Sequence, residues 1–248
     1  MVNQIKPLSS HLSHVPDEVK KAAKNRLYPS IFSAGYLELR RRRKRMEDFF
    51  SKLDANNSIL DIGSQYSPYY PLFQNKCSNY ITLDVVETPT VDIVATAEKI
   101  PLADDVMDIV ICTQVLEHTD RPKKIVKELY RVLRPGGILL ATVPSIFPQH
   151  GYPADNWRFM PDGLRLMMDD FSETQVIGEM DFSESWISVN LYYSKTIIWK
   201  LGSMRKVLEP IINLIGNSFA IALSFILKPI TKEEFSAFSM NIWCEAIK

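Results

Sequence analysis

The stretch MDIVICTQVLEHTDRPKKIVKELYRVLRPGGILLATV, residues 107–143, decides the fold. Its two ends, MDIVICTQV and GILLATV, are almost continuously β-branched or aliphatic, the pattern of strands buried on both faces. Between them Ile125, Val126, Leu129, Val132 and Leu133 recur at three- and four-residue steps. That spacing predicts an amphipathic helix ended by Pro135 and the pair Gly136 and Gly137.

Further runs lie on both sides. SILDI (58–62), YITLDVV (80–86) and VDIVAT (91–96) precede the stretch, while TQVIGEM (174–180) and SMNIWCEAIK (239–248) follow it. Seven strands with helical or loop material between them predict a doubly wound, mostly parallel α/β sheet, in which ligands sit at the carboxyl ends of the strands.

The chain has 248 residues, 46% hydrophobic and 23% charged, and holds 29 basic and 29 acidic side chains. This balance gives no electrostatic reason to expect nucleic acid as a partner. Residues 1–52 nevertheless carry 12 basic and 5 acidic side chains, so any basic surface is amino-terminal. Cys77, Cys112 and Cys244 are odd in number and in no ligand spacing. Neither a disulfide framework nor a metal site is expected, and a reducing cytoplasm fits. MVNQIKPLSSHLSH lacks the apolar core of a signal peptide, and His11 with His14 has no acidic or cysteine partner nearby.

In LDIGSQYSPYYPLF (60–73), Gly63 follows the first strand, and Asp84 ends the second 21 residues later. At that separation an acid reaches ribose hydroxyls, although Asp84 also reads as a solvated strand end. Gln65 stands where a glycine-rich turn would want bare backbone. It suits a working loop if its φ stays negative.

The ordered set ILDIGS (59–64), TLDVV (82–86), ATAEKIPLADDVMDIVICTQVLEHTDRP (95–122) and ELYRVLRPGGILLATVP (128–144) resembles the class I S-adenosylmethionine-dependent methyltransferases, in the branch named after ubiquinone and menaquinone biosynthesis enzymes. The likeness covers about residues 58 to 165. It implies a Rossmann-like methyltransferase sheet and S-adenosylmethionine as cofactor. It assigns Asp61, Gly63, Ser64 and Gln65 to the cofactor loop, Asp84 and Val85 to the ribose edge, Ala97 and Glu98 to the adenine, and Gln114 to the methionine moiety. Thr96 replaces an acid common in the family. A dinucleotide oxidoreductase would need a fuller glycine set than DIGSQY offers.

The acceptor is expected after the fifth strand, in SIFPQHGYPADNWRFMPDGL (145–164). His150 reads as a catalytic base or as a surface histidine, and Tyr152, Asp155, Trp157 and Arg158 as substrate contacts. Arg158 also reads as an ion-pair partner of Asp155, and Trp157 as a packing residue. The segment is similar to loops of family members from polysaccharide and glycan pathways. That likeness implies O-methylation of a sugar, glycolipid or other small-molecule acceptor. Glu117 and His118 read as structural. The alternatives are a cofactor-degenerate scaffold and a membrane-surface interaction protein.

Two domains are expected: a helical arm at 1–54 with a basic run, and a methyltransferase domain at 55–248 that includes a helical insertion or lid at 185–230. Six consecutive basic residues in LELRRRRKRMEDFF (37–50) predict a solvated helix, with an anionic membrane surface as the second reading. PIINLIGNSFAIALSFIL (210–227) has 18 residues and no charge, with Asn213, Asn217, Ala220 and Ser224 as a narrow stripe beside a wide apolar face. A single crossing would separate the last strand from its sheet, so the segment must return. Covering the active site and lying at the inner membrane face are both open, and the oligomeric state is not legible.

Overall fold

The structure is a computed structural model describing residues 24–150, 154–227 and 238–248. His11, His14 and Tyr152 lie outside the described residues. The elements in chain order are α1 (Tyr36–Ser51), β1 (Asn57–Ile62), β2 (Cys77–Asp84), β3 (Ile93–Val94), β4 (Met107–Thr113), α2 (Pro122–Val132), β5 (Leu133–Pro144), α3 (Pro161–Met167), β6 (Glu173–Gly178), α4 (Phe182–Ile198), α5 (Arg205–Leu227) and β7 (Asn241–Ile247).

The seven strands form one sheet in the order β3-β2-β1-β4-β5-β7-β6. Strands β1 to β5 pair in parallel, and β7 runs antiparallel to both β5 and β6. The order reverses between β1 and β4, and a crevice opens at their carboxyl ends. Neighbouring residues of one strand feed opposite cores, as the period of two requires. Leu60, Val110 and Leu139 pack with Ile125, Val126 and Leu129 of α2, whereas Ile59, Ile109 and Leu140 join Phe49, Phe50 and Trp243 on the other face.

Helix α2 ends at Val132, three residues before the expected stop. Arg134 precedes Pro135, whose ring disfavours helix at the residue before it, and Leu133 is already extended at φ −69° and ψ 136°. The Gly pair therefore lies inside β5 and is not a helix cap.

The basic run differs most from a solvated helix. Arg42 is buried, its Nε and Nη2 donating to Glu179 Oε1 and Oε2 at 2.8 and 2.9 Å. Arg41 donates to Glu184 at 2.6 and 2.8 Å, and Arg45 to the carbonyls of Gly178 and Glu179 at 2.7 and 3.2 Å. Arg43 and Lys44 pair with Glu47 and Asp48 one turn on. Arg41, Arg42 and Arg45 clamp α1 to the end of β6 and the start of α4, so the run's local acids account for only part of its pairing.

Helices α4 and α5 lie between β6 and β7 and meet at a kink where Gly202 takes φ 58°. Asp181 caps α4 by accepting from the Glu184 amide at 2.9 Å. The hairpin is built inside out. Asn213 and Asn217 are buried and donate to the carbonyls of Phe32, Ile31 and Ser33, and Ala220 faces the core with them. Val207, Ile211, Ile215 and Phe219 instead point outward, each 48% exposed or more.

Candidate active site

The loop after β1 is shaped by close contacts. Gly63 has φ 68°, and a Cβ there would lie 2.4 Å from Val115 Cγ2, so only glycine fits. Its amide and that of Ser64 donate to the Leu83 carbonyl at 2.8 and 3.4 Å, tying the loop to β2. Gln65 adopts φ 43°, contrary to the expectation of a negative value. A left-handed non-glycine residue costs on the order of 1 kcal/mol, and its hydrogen bonds offset the cost. The Gln65 amide donates to Asp84 Oδ2 at 2.9 Å, and its carbonyl accepts from the hydroxyls of Thr88 and Thr90, both at 2.6 Å. Ser67 in the same loop and Gln114 after β4 also have positive φ. Among the described residues, three of the five non-glycine residues with positive φ thus follow β1 or β4, while Asn56 and Asp105 precede these strands.

Asp84 ends β2 and is buried, and its Oδ1 accepts from the Val86 amide at 2.9 Å. A carboxylate offers about four acceptor positions, so two remain for ribose hydroxyls. Val85 and Val86 form an exposed apolar shelf beside it. The buried hydroxyls of Ser64 and Ser67 have no hydrogen-bond partner and supply unused polar atoms at the loop. Thr96 Oγ1 accepts from the Glu98 amide at 3.2 Å, Ala97 is buried, and the Glu98 carboxylate pairs with Lys124 at 2.9 Å. Glu98 thus lends its backbone to this segment while its side chain is directed to α2. These features fit a nucleoside with vicinal hydroxyls: glycine for close approach, an acid for the ribose, and an apolar shelf for the base.

Asp61, beneath the loop, accepts from the Tyr80 hydroxyl at 2.6 Å. Burial pushes its carboxyl up to about 7, with the Tyr80 bond opposing and Asp84 adding to the rise. The folded state therefore holds a proton that the unfolded chain has released, so the stability contributed by this group falls as pH rises from about 4 to about 7. Asp61→Asn is expected to flatten the pH dependence of the urea midpoint across that window. A variant as pH-sensitive as the parent would assign the dependence to other groups.

The second half of the site follows β4 and β5. Gln114 donates its amide to the Thr142 carbonyl at 2.8 Å, which sets its place at the strand end. A turn at Leu116–His118 then buries Glu117 completely. Burial holds its carboxyl above the usual range. His118 Nδ1 lies 2.6 Å from the Ala154 carbonyl. His150 is half-buried, and burial lowers its pKa, so its ring is neutral at pH 7. Its amide donates to Asp155 Oδ2 at 2.7 Å.

Arg158 pairs with both oxygens of Asp155 at 2.6 Å and also donates to the carbonyls of Phe147 and Pro148. It holds the loop in shape. Trp157 donates to the Thr119 carbonyl at 2.7 Å, and its ring lines a cleft of about 310 Å³ with Phe147, Gln149, Asp155, Asn156 and Arg158. Phe147 packs on His150 and on Tyr192 of α4, with centroids 4.7 and 5.0 Å apart, so the hairpin borders the acceptor region. Sequence reasoning missed the convergence of Glu117 and His118 with His150. No spacing rule connects them.

A tight loop between Gly63 and Asp84 at the switch point of a doubly wound sheet, with a polar cleft beyond the next strands, defines a Rossmann-like α/β fold. Residues 60–141 match the family described as methyltransferase domain. A thiol S-methyltransferase of Mus musculus is 35% identical over 100 residues, covering 37% of this chain and 40% of its own. A tRNA (carboxymethyluridine(34)-5-O)-methyltransferase of Arabidopsis thaliana is 32% identical over 151 residues, covering 54% of this chain and 36% of its own. A SAM-dependent methyltransferase from Archaeoglobus fulgidus superposes with a TM-score of 0.53 at 15% identity, over 92% of this chain and 99% of that one, a likeness of fold.

The chain thus spans 40% or less of the length of these two curated relatives. Residues 60–141 are thus similar to a methyltransferase domain, and the fold is that of a solved SAM-dependent methyltransferase.

Proposed function

We propose that this chain methylates a hydroxyl of a small amphipathic acceptor, such as a sugar-bearing lipid, while resting on the cytoplasmic face of an anionic membrane. The observation carrying the transferase reading is that Gly63, Asp84 and the acceptor cleft share one edge of the sheet, at its switch point. S-adenosylmethionine, when bound, supplies an electrophilic methyl group on a sulfonium. The chain's own part is placement: Asp84 and the loop fix the nucleoside, and the cleft aligns the acceptor. The neutral imidazole of His150 takes the acceptor's proton. A thiol acceptor is the second reading, favoured by the mouse relative.

The test is thermal unfolding with S-adenosylhomocysteine, the demethylated product. Ligand at 100 times its dissociation constant stabilises the native state by about 2.7 kcal/mol, a rise of roughly 5 to 10 °C for a chain of this size. The rise should vanish in Asp84→Ala. No shift in the parent at millimolar ligand would make the chain a scaffold. Methyl transfer to matched hydroxyl and thiol acceptors then separates the two readings.

The membrane part rests on the hairpin. Helices α4 and α5 include an 18-residue window of mean hydropathy 1.8 that is 17% buried. Lys200, Arg205 and Lys206 gather at the kink, where the Arg205 guanidinium stacks 4.1 Å over the exposed Trp199. An apolar face flanked by tryptophan and cations suits a lipid interface, and the hairpin returns to its own sheet, which suits lying on a membrane. The chain should float with phosphatidylglycerol vesicles and less with phosphatidylcholine, and Ile211→Glu with Ile215→Glu should abolish flotation. Failure to float, with dimers in sedimentation, would make this face a contact between copies.

A further inference from the structure

We infer that Glu117, His118 and His150 bind a divalent transition-metal ion of the zinc type at the acceptor end of the site. The ligand atoms of these three side chains lie within 4.8 Å of one another. His118 Nε2 is 3.8 Å and His150 Nε2 is 3.9 Å from the same atom, Glu117 Oε1. Glu117 is fully buried, and neither of its carboxylate oxygens accepts a hydrogen bond. Burial raises its carboxyl, and an ion in the gap would supply the partners that its oxygens lack.

The tautomers point the same way. A carbonyl only accepts, so the 2.6 Å contact between His118 Nδ1 and Ala154 O puts the proton on Nδ1. With Nδ1 engaged by that carbonyl, Nε2 is directed at a carboxylate oxygen, the orientation of a metal ligand, and a cation between the two would be bound by both. His150 Nδ1 lies 3.5 Å from Asp155 Oδ2 without a hydrogen bond, and its Nε2 lies on the Glu117 side. A histidine whose outer nitrogen meets a carbonyl or a carboxylate while its inner nitrogen faces a metal is the usual arrangement behind metal ligands.

Among the described residues, no Lys or Arg side chain lies within ion-pairing distance of Glu117, whose contacts of that kind are the two imidazoles. Arg158 is taken up by Asp155 and two carbonyls. Two imidazoles and one carboxylate suit zinc and similar first-row ions, whereas magnesium and calcium prefer oxygen alone. Tetrahedral coordination wants donors roughly 3.3 Å apart, so the two Glu117–histidine distances must each close by about half an ångström on binding. Three protein ligands leave a fourth tetrahedral position for an exogenous group, and Asp155, 3.5 Å from His150 Nδ1, also lines the neighbouring cleft.

The chemical role rests on the methyl-transfer reading, although binding of the ion does not. An acceptor hydroxyl or thiol bound at the open position loses its proton to water near neutral pH. Its lone pair forms the new bond to the methyl carbon. The methyl–sulfonium bond breaks with its electron pair kept by sulfur, leaving S-adenosylhomocysteine. The ion then holds the acceptor anion, and His150 is a ligand to it where otherwise it would be the base.

The test is titration of the chelator-treated full chain with zinc chloride by calorimetry, and with cobalt chloride by visible absorption. One equivalent should bind with micromolar affinity or better, and cobalt should show bands of nitrogen and oxygen ligation. Glu117→Gln should weaken binding by about 100-fold, consistent with loss of a ligand. His150→Ala, at a partly exposed position, should do the same with unchanged circular dichroism. Asp84→Ala should keep the ion while losing the S-adenosylhomocysteine shift. No saturable binding, or binding unchanged in both ligand variants, would overturn the site. Zinc binding without any S-adenosylhomocysteine shift would sustain the site and remove the methyltransferase reading.

Discussion

Arg42→Met is expected to lower the unfolding midpoint by roughly 10 °C. The guanidinium is 1% exposed and bonds both oxygens of Glu179 while also pairing with Glu38 at 3.3 Å. Burial raises the Glu179 carboxyl even with Arg42 in place, and the guanidinium opposes that rise. Removing one partner of a buried pair strands the other, at about 3 to 5 kcal/mol.

The double variant Arg42→Met with Glu179→Leu should recover most of the loss, because an apolar pair of similar volume needs no compensating charge. Glu38 retains the Tyr192 hydroxyl at 3.2 Å. Differential scanning calorimetry of the parent, the single variant and the double variant decides the matter. A single variant melting within about 2 °C of the parent would mean that the pair contributes nothing beyond packing.

Gly63→Ala should weaken S-adenosylhomocysteine binding by at least tenfold and cost about 2 kcal/mol of stability. Two separate penalties act there. The new methyl would sit 2.4 Å from Val115 Cγ2, and the φ of 68° is unfavourable for any side chain. Either the loop shifts away from β4 or Val115 moves, and both change the floor of the cofactor site. Adding Val115→Ala removes the clash but not the backbone strain, so it should restore part of the affinity. Full rescue by Val115→Ala would show that strain at Gly63 is unimportant. No loss in Gly63→Ala alone would place the cofactor elsewhere.

The sequence by itself determined what depends on local periodicity and on ordered motifs. The apolar runs of β1, β2, β4 and β5, the stripe of Ile125, Val126 and Leu129, and the order of Gly63, Asp84 and Gln114 were readable because each is set by neighbours a few residues away. Local chemistry also fixed the bidentate pairing of Arg158 with Asp155, three residues apart.

The tertiary structure decided what depends on distant partners. Arg42 finds Glu179 across 137 residues, so a run that looks solvated becomes a buried clamp. The stripe of Asn213, Asn217 and Ala220 turns inward because the carbonyls of residues 31 to 33 need donors, and this sends the wide apolar face of α5 outward. Gln65 accepts a left-handed backbone because Asp84, Thr88 and Thr90 repay it with hydrogen bonds. Glu117 and His150 meet only because β4 and β5 are adjacent in the sheet. Period and composition record which face a residue prefers, whereas the partner that satisfies a buried charge or an unpaired carbonyl exists only once the chain has folded.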